Sequence, residues 1–231
     1  MGHPLLRHSP HGTSWHWAEQ LASLPSREEL QIPKGASLLQ SRELSLRSHI
    51  VVQGALKSSV LSAGGDETTL AFHFPSELVA LPNSSAGSGC LEIVALADTR
   101  VCAFSLDDLM ADPRILRTVR SRVMHALLQR VHDDSDHIAS MTRPRAVDRV
   151  GMFLVSLHDR TARSERVPDW LMLPMSRMDI ANYLGLVIET VSRSFTKLAA
   201  SGMIAVEGRG VRYLDLPRLR RMCEGGARDM A

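Results

Sequence analysis

Cysteine is scarce: Cys90, Cys102 and Cys223 are the only three in 231 residues. They lie far apart, so they make neither a disulfide framework nor a zinc or iron–sulfur motif, and read as small hydrophobes or idle thiols. Long apolar runs are also lacking. No stretch approaches the ~18–20 residues that span a bilayer. The opening MGHPLLRHSPHGTSWHW has no apolar signal-peptide core and reads as a loose tail over 1–25. These absences predict a cytoplasmic chain with no membrane role. Net charge is small, at +2, but it is unevenly placed. From Arg143 onward there are 15 Lys and Arg against 10 Asp and Glu, whereas residues 1–142 hold 12 against 15. A basic C-terminal third beside an acidic remainder points to a polyanionic partner for that third.

What is present is ordinary globular composition, 44% hydrophobic and 23% charged, in a length that suits one large domain or two modest ones. Residues 26–112 carry turn residues about every ten positions: Gly35, Gly54, Gly64–Gly65, Pro75, Pro82, Gly87 and Gly89. Between them lie short apolar runs at 50–52, 70–72, 78–81, 93–96 and 101–104. This punctuation predicts an all-β roll or barrel. Gly64–Gly65–Asp66 suits a hairpin turn, since glycine accepts positive φ.

The period then changes. Over 113–142, Leu116, Val119, Val123, Leu127, Val131 and Ile138 recur at three and four, which predicts one long helix opened by Pro113. So long a stripe is expected to be a dimer seam; the other reading is a core helix lying on the roll. Asp134 would fall on that seam: either the helix end is splayed and solvated there, or Asp134 faces its copy, in which case Asp134→Ala should tighten the dimer. Pro144 sets a hinge at 142–145. A helix is expected from Ala146 to about His158, and a loop over 159–169.

Residues 143–231 hold the most informative pattern. Ser176 with Asp179 predicts a helix start that runs to Leu184 and stops at Gly185. A second helix is expected over 188–200. Small Ala181, Gly185 at the turn and apolar Val191 meet the constraints of a helix-turn-helix. Ile180, Leu184, Leu186, Phe195 and Leu198 would form its core, leaving Arg177, Asn182, Glu189, Ser192, Arg193 and Lys197 outside. Runs at 203–206 and 211–214 flank Glu207–Gly208–Arg209–Gly210, which predicts a β-hairpin wing. Arg209 and Arg212 in that wing are within the reach expected of phosphate contacts. The other reading is an ordinary helical hairpin.

The segment from Leu173 to Arg193, LPMSRMDIANYLGLVIETVSR, resembles the DNA-binding signature of the CRP/FNR family, in its FNR/FixK branch. IVVQGALK at 50–57, GDE at 65–67, FHFPSELV at 72–79 and DSD at 134–136 extend the resemblance over nearly the whole chain. It implies an α+β architecture: an N-terminal β roll like those that bind cyclic nucleotides, a long dimerisation helix and a C-terminal winged helix-turn-helix. It implies a cytoplasmic homodimer whose partners are double-stranded DNA and RNA polymerase, and no enzyme. Glu189, Ser192 and Arg193 stand where this branch reads a TTGAT-N4-ATCAA-type palindrome. Arg193 suits a bidentate pair with guanine, and Glu189 accepts from a cytosine amino group. Ser176, Arg177, Thr190, Lys197, Arg209 and Arg212 are the expected phosphate contacts. Val187 departs from the branch, where a threonine usually stands; valine neither caps the helix nor donates to phosphate.

The signal is less legible. No cysteine precedes Cys90, which excludes the N-terminal iron–sulfur cluster of the FNR type. Ser76–Glu77 keeps only part of a cyclic AMP site, and 84–91 has no arginine for a phosphate. No cysteine lies near Ser176 to act as a redox switch. The expectation is a regulator without cofactor or metal. A haem-based gas sensor remains the alternative, with His8, His11, His16 or His73 as ligand. A cupin-like metalloenzyme is a more distant one; it would need His49 and His73 to converge with a carboxylate. Activation or repression depends on where the site lies at a promoter.

Overall fold

Strand β2 (Ser48–Gln53) shows how the N-terminal region is built. Its run Ile50–Val51–Val52 is apolar at every position because both faces are covered. Val51 joins one core with Ile32, Leu38, Leu56, Val79, Ile93, Ala95 and Val101. Ile50 and Val52 point the other way, into a cluster with Leu78, Cys102 and Phe104. The computed structural model describes residues 27–38, 47–62, 64–79, 90–105, 107, 117–164 and 168–225.

The strands form two antiparallel sheets. The first orders β1 (Glu28–Ile32), β7 (Thr99–Phe104), β2 and β5 (Leu78–Val79) side by side. The second orders β4 (Glu67–His73), β3 (Leu56–Leu61) and β6 (Cys90–Ala95). The turn between β3 and β4 is the expected hairpin: Gly65 has φ +88, and the Ser62 N–H donates to the Asp66 carbonyl at 2.9 Å. Gly54 is demanded by its neighbours. Its φ is +92, and a Cβ there would lie 2.4 Å from Thr99 Oγ1.

The expected runs at 50–52, 70–72, 93–96 and 101–104 fall on β2, β4, β6 and β7, with β6 stopping at Ala95. Of the run at 78–81, residues 80 and 81 lie outside the described residues. Strands β1 and β3 carry no such run. In β3 the residues Lys57, Ser58 and Ser59 are buried despite being polar. Lys57 pairs with Glu67 at 2.7 Å, and Ser58 Oγ lies 2.6 Å from His73 Nε2. Buried polar groups are kept when they are bonded.

Helix α1 (Arg117–Met141) is the long helix, of 25 residues. Its Val123 is buried, and Ala126 and Leu127 pack with it against the Ile50–Phe104 cluster. This corrects the expected seam: Val123 and Leu127 cover the roll. The exposed apolar stripe is Met124, Leu128, Val131 and Ile138. Its spacing, 124, 128, 131, 135 and 138, alternates steps of four and three, so Ser135 rather than Asp134 takes the fourth place. Asp134 is half-buried, outside that stripe. Leu116 and the side chain of Val119 lie outside what is described.

The chain divides into two compact units, with the boundary inside α1 between His132 and Asp133. The expected hinge at 142–145 lies beyond it, because the last turns of α1 pack into the C-terminal unit. Asp133 binds Arg163 at 3.0 Å, and His137 stacks on Tyr183. Helix α2 (Ala146–Ser164) runs past the expected end near His158. Its polar last turns are held from afar: Arg160 lies 3.8 Å from Asp133, and Asp159 bonds Arg220 at 2.9 Å.

Candidate nucleic-acid interface

The C-terminal unit is assembled around α2. Val150, Phe153, Leu154 and Leu157 form its buried face. Against it lie α3 (Arg177–Leu184), α4 (Ile188–Ala200), α5 (Leu216–Gly225) and a sheet ordered β8 (Leu171–Met172), β10 (Gly210–Tyr213) and β9 (Ile204–Glu207). Tyr213 donates to the Leu154 carbonyl at 2.8 Å, fastening the sheet to α2. Neither β8 nor α5 was expected. β8 is two residues long, and α5 starts within a polar, proline-containing segment.

Helix α3 begins with the predicted capping box. Ser176 Oγ accepts from the Asp179 N–H at 3.1 Å, and the Asp179 carboxylate accepts from the Ser176 N–H at 2.8 Å. Two orphan donors are thus satisfied. The helix ends at Gly185, in the left-handed region at φ 59 and ψ 43. A Cβ there would lie 2.9 Å from Met141 Cε, so both the turn and its neighbour require glycine.

Helix α4 then turns Val191, Ser194, Phe195 and Leu198 inward, against Ile180, Ala181 and Leu184 of α3. Glu189, Ser192, Arg193, Thr196 and Lys197 are left exposed. Helical spacing puts Glu189, Arg193 and Thr196 on one face. Thr196 was missed by the sequence reading, although its offset of three from Arg193 was available to find it. Arg193 donates to Thr190 Oγ1 at 3.3 Å, which leaves most of its guanidinium fork free of that bond. Val187 stands at the N-cap with no side-chain hydrogen bond, as its identity predicted.

The expected phosphate contacts divide. Lys197 is exposed and Thr190 half-buried. Ser176 is exposed, and Arg177 is not outside as expected: its guanidinium lies 3.3 Å over the Phe195 ring and is half-buried. Burial, with the nearby charge of Arg209, pushes its pKa down to about 10. Arg209 turns back to donate to the Leu173 carbonyl at 3.0 Å and to Pro174. Arg212 lies 5.1 Å over the Trp170 ring and 3.7 Å from Asp169. The wing arginines therefore brace the wing itself. Ser176, Arg177 and Arg209 still line one cleft of about 160 Å³ beside the capped start of α3.

Residues 148–222 match the Crp-like helix-turn-helix domain. The transcriptional activator protein FnrA of Stutzerimonas stutzeri is 33% identical over 198 residues, 86% of this chain and 81% of its own. The chain belongs to the CRP/FNR family. The solved structure of FixK2 from Bradyrhizobium japonicum superposes with a TM-score of 0.66 at 29% identity, over 84% of this chain and 96% of that one. A cyclic nucleotide-binding domain containing protein from Listeria monocytogenes EGD-e shares the fold at TM-score 0.69 and 13% identity, over 86% and 96%. As a CRP/FNR protein the chain is a DNA-binding transcription regulator, not an enzyme.

That membership sets aside the metalloenzyme alternative. Among the described residues no three His, Cys, Asp or Glu gather as a metal site, and His49 and His73 sit on strands of different sheets. His73 is buried against Ser58. His8, His11 and His16 lie outside the described residues. Glu77 accepts from the Phe74 N–H at 3.0 Å, within its own turn. Cys102 and Cys223 are buried thiols, and burial raises both pKa values, that of Cys223 to about 11. Thiols held protonated are poor nucleophiles. No described helix is long and apolar enough to cross a membrane.

Proposed function

We propose that this regulator acts in the cytoplasm as a homodimer that reads a TTGAT-N4-ATCAA-type palindrome and contacts RNA polymerase, with neither an iron–sulfur cluster nor cyclic AMP. The observation that carries this reading is the exposed face of α4, where Glu189, Ser192 and Arg193 stand together over a buried apolar face. Arg193 pairs with guanine O6 and N7, Glu189 accepts from a cytosine amino group, and Ser192 bonds either neighbour. Ser176, Arg177 and Arg209 hold one backbone phosphate in their cleft, while Lys197 and Thr190 touch others. Arg212 serves chiefly to stiffen the wing.

The dimer seam is the exposed stripe Met124, Leu128, Val131 and Ile138. Four large apolar side chains at heptad spacing are costly in water and suit a second copy of the same helix. Two-fold symmetry then presents two reading helices about one DNA turn apart, which is what makes the site palindromic. FixK2 and FnrA favour this branch over others of the fold.

Titrating labelled TTGAT-N4-ATCAA duplex with protein purified without effector tests the reading. Binding at least ~1000-fold tighter than to scrambled duplex, falling steeply with salt, is expected. The same sample should show no absorption band near 400 nm. Equal affinity for both duplexes would refute the proposed site, and a haem band with ligand-dependent binding would replace the effector-free reading by gas sensing.

A further inference from the structure

The last two turns of α1 are part of the reading head. The His137 ring lies parallel to that of Tyr183 in α3, with centroids 3.8 Å apart and planes 13° from parallel. Phe153 of α2 meets the Tyr183 ring edge-on, with centroids 5.9 Å apart. One turn further on, the Met141 methyl occupies the space beside Gly185, the turn residue of the helix-turn-helix. Arg149 of α2 closes the assembly: it donates to the Arg143 carbonyl at 2.8 Å and to the Leu184 carbonyl at 3.4 Å. Two direct contacts, with a bridge through Arg149 from Arg143 just beyond the helix, therefore tie the end of α1 to the end of α3 and the turn that launches α4. Meanwhile Ile138, next to His137, is exposed on the seam stripe.

We infer that His137 is a positioning residue for DNA recognition: its stack on Tyr183 fixes the reading head on the dimer helix and so sets the spacing at which two half-sites are read. The inference rests on the homodimer and palindrome reading above. The stack suits this role because aromatic pairs prefer particular relative orientations, which an aliphatic contact does not impose. The His137 stack is made on α3 rather than on a base-reading side chain, so it changes where α4 is held, not what α4 recognises. When the two heads are held at the right separation, the second half-site binds at high effective concentration; a loose joint spreads that concentration over several separations.

The test compares His137→Leu, which keeps bulk without a ring, with His137→Phe, which keeps the ring. Affinity is measured for duplexes with spacers N3 to N6 and for a duplex with one half-site scrambled. Wild-type protein should prefer N4 and bind it far better than the half-site. His137→Leu should lose on the order of tenfold of the N4 advantage and bind N3 and N5 more nearly equally, with half-site affinity unchanged. His137→Phe should keep the wild-type profile. A wild-type profile from His137→Leu, or equal losses on every duplex including the half-site, would overturn the inference, as would identical losses from the Phe variant. Absence of any palindrome advantage in the wild type would bring down the homodimer reading itself, and this inference with it.

Discussion

His49 holds a residue type that charges near neutral pH in a place that refuses the charge. It is fully buried in β2, and burial, aided by Arg47, pushes its pKa down from 6.5 to about 4. The unfolded chain therefore takes up a proton between pH ~6.5 and ~4 that the folded chain does not. Stability from this group is whole above pH ~6.5 and is lost as pH falls toward ~4, by on the order of 3 kcal/mol. Urea titrations at a series of pH values should show that slope, and His49→Leu should flatten it; an unchanged slope in the variant would place its origin elsewhere. Arg177 is half-buried, and it shows what single residues hide in a sequence. Nothing near position 177 says that its guanidinium will lie on Phe195, eighteen places away. The capping box beside it was legible because Ser176 and Asp179 are three residues apart and satisfy one another.

At the scale of elements, α4 carries an avoidable weakness. Its N-cap is Val187, 62% exposed and without a cap bond. Val187→Ser should supply the missing acceptor and raise unfolding stability by ~1 kcal/mol, read as a higher urea midpoint at unchanged slope. No gain would mean that the first N–H groups of α4 are satisfied in another way. The helix-turn-helix was readable because its constraints are local and of different kinds: a small residue, a turn glycine, an inward apolar residue. The register of α1 was not. Val123 and Met124, like Leu127 and Leu128, are adjacent apolar pairs, so periodicity fits two stripes one position apart. Only the roll decides between them, by covering Val123 and Leu127. The end of α2 was hidden for the same reason, since Asp159 finds Arg220 some sixty residues downstream.

The two stripes separate experimentally. Val123→Ala removes buried methyls from the roll core and should cost about 2 kcal/mol of stability while leaving association intact. Leu128→Glu should do the reverse: near-wild-type melting of the N-terminal unit, with a shift from dimer to monomer in sedimentation. Dissociation by Val123→Ala and not by Leu128→Glu would restore the seam that the sequence alone suggested.

The whole molecule is two units joined through one continuous helix, with its basic excess in the unit that bears α4. On the proposed reading, charge brings that unit to DNA and the face of α4 chooses the sequence. These contributions come apart in Arg193→Ala, assayed on the TTGAT-N4-ATCAA duplex and on a scrambled duplex at fixed salt. Removing a bidentate guanine contact from each half-site should cost ~1–3 kcal/mol per site, so preference for the palindrome should collapse by roughly 100-fold or more while weak binding to scrambled DNA persists. A variant that keeps the wild-type preference, or one that loses both kinds of binding equally, would contradict the assignment of α4 as the reader.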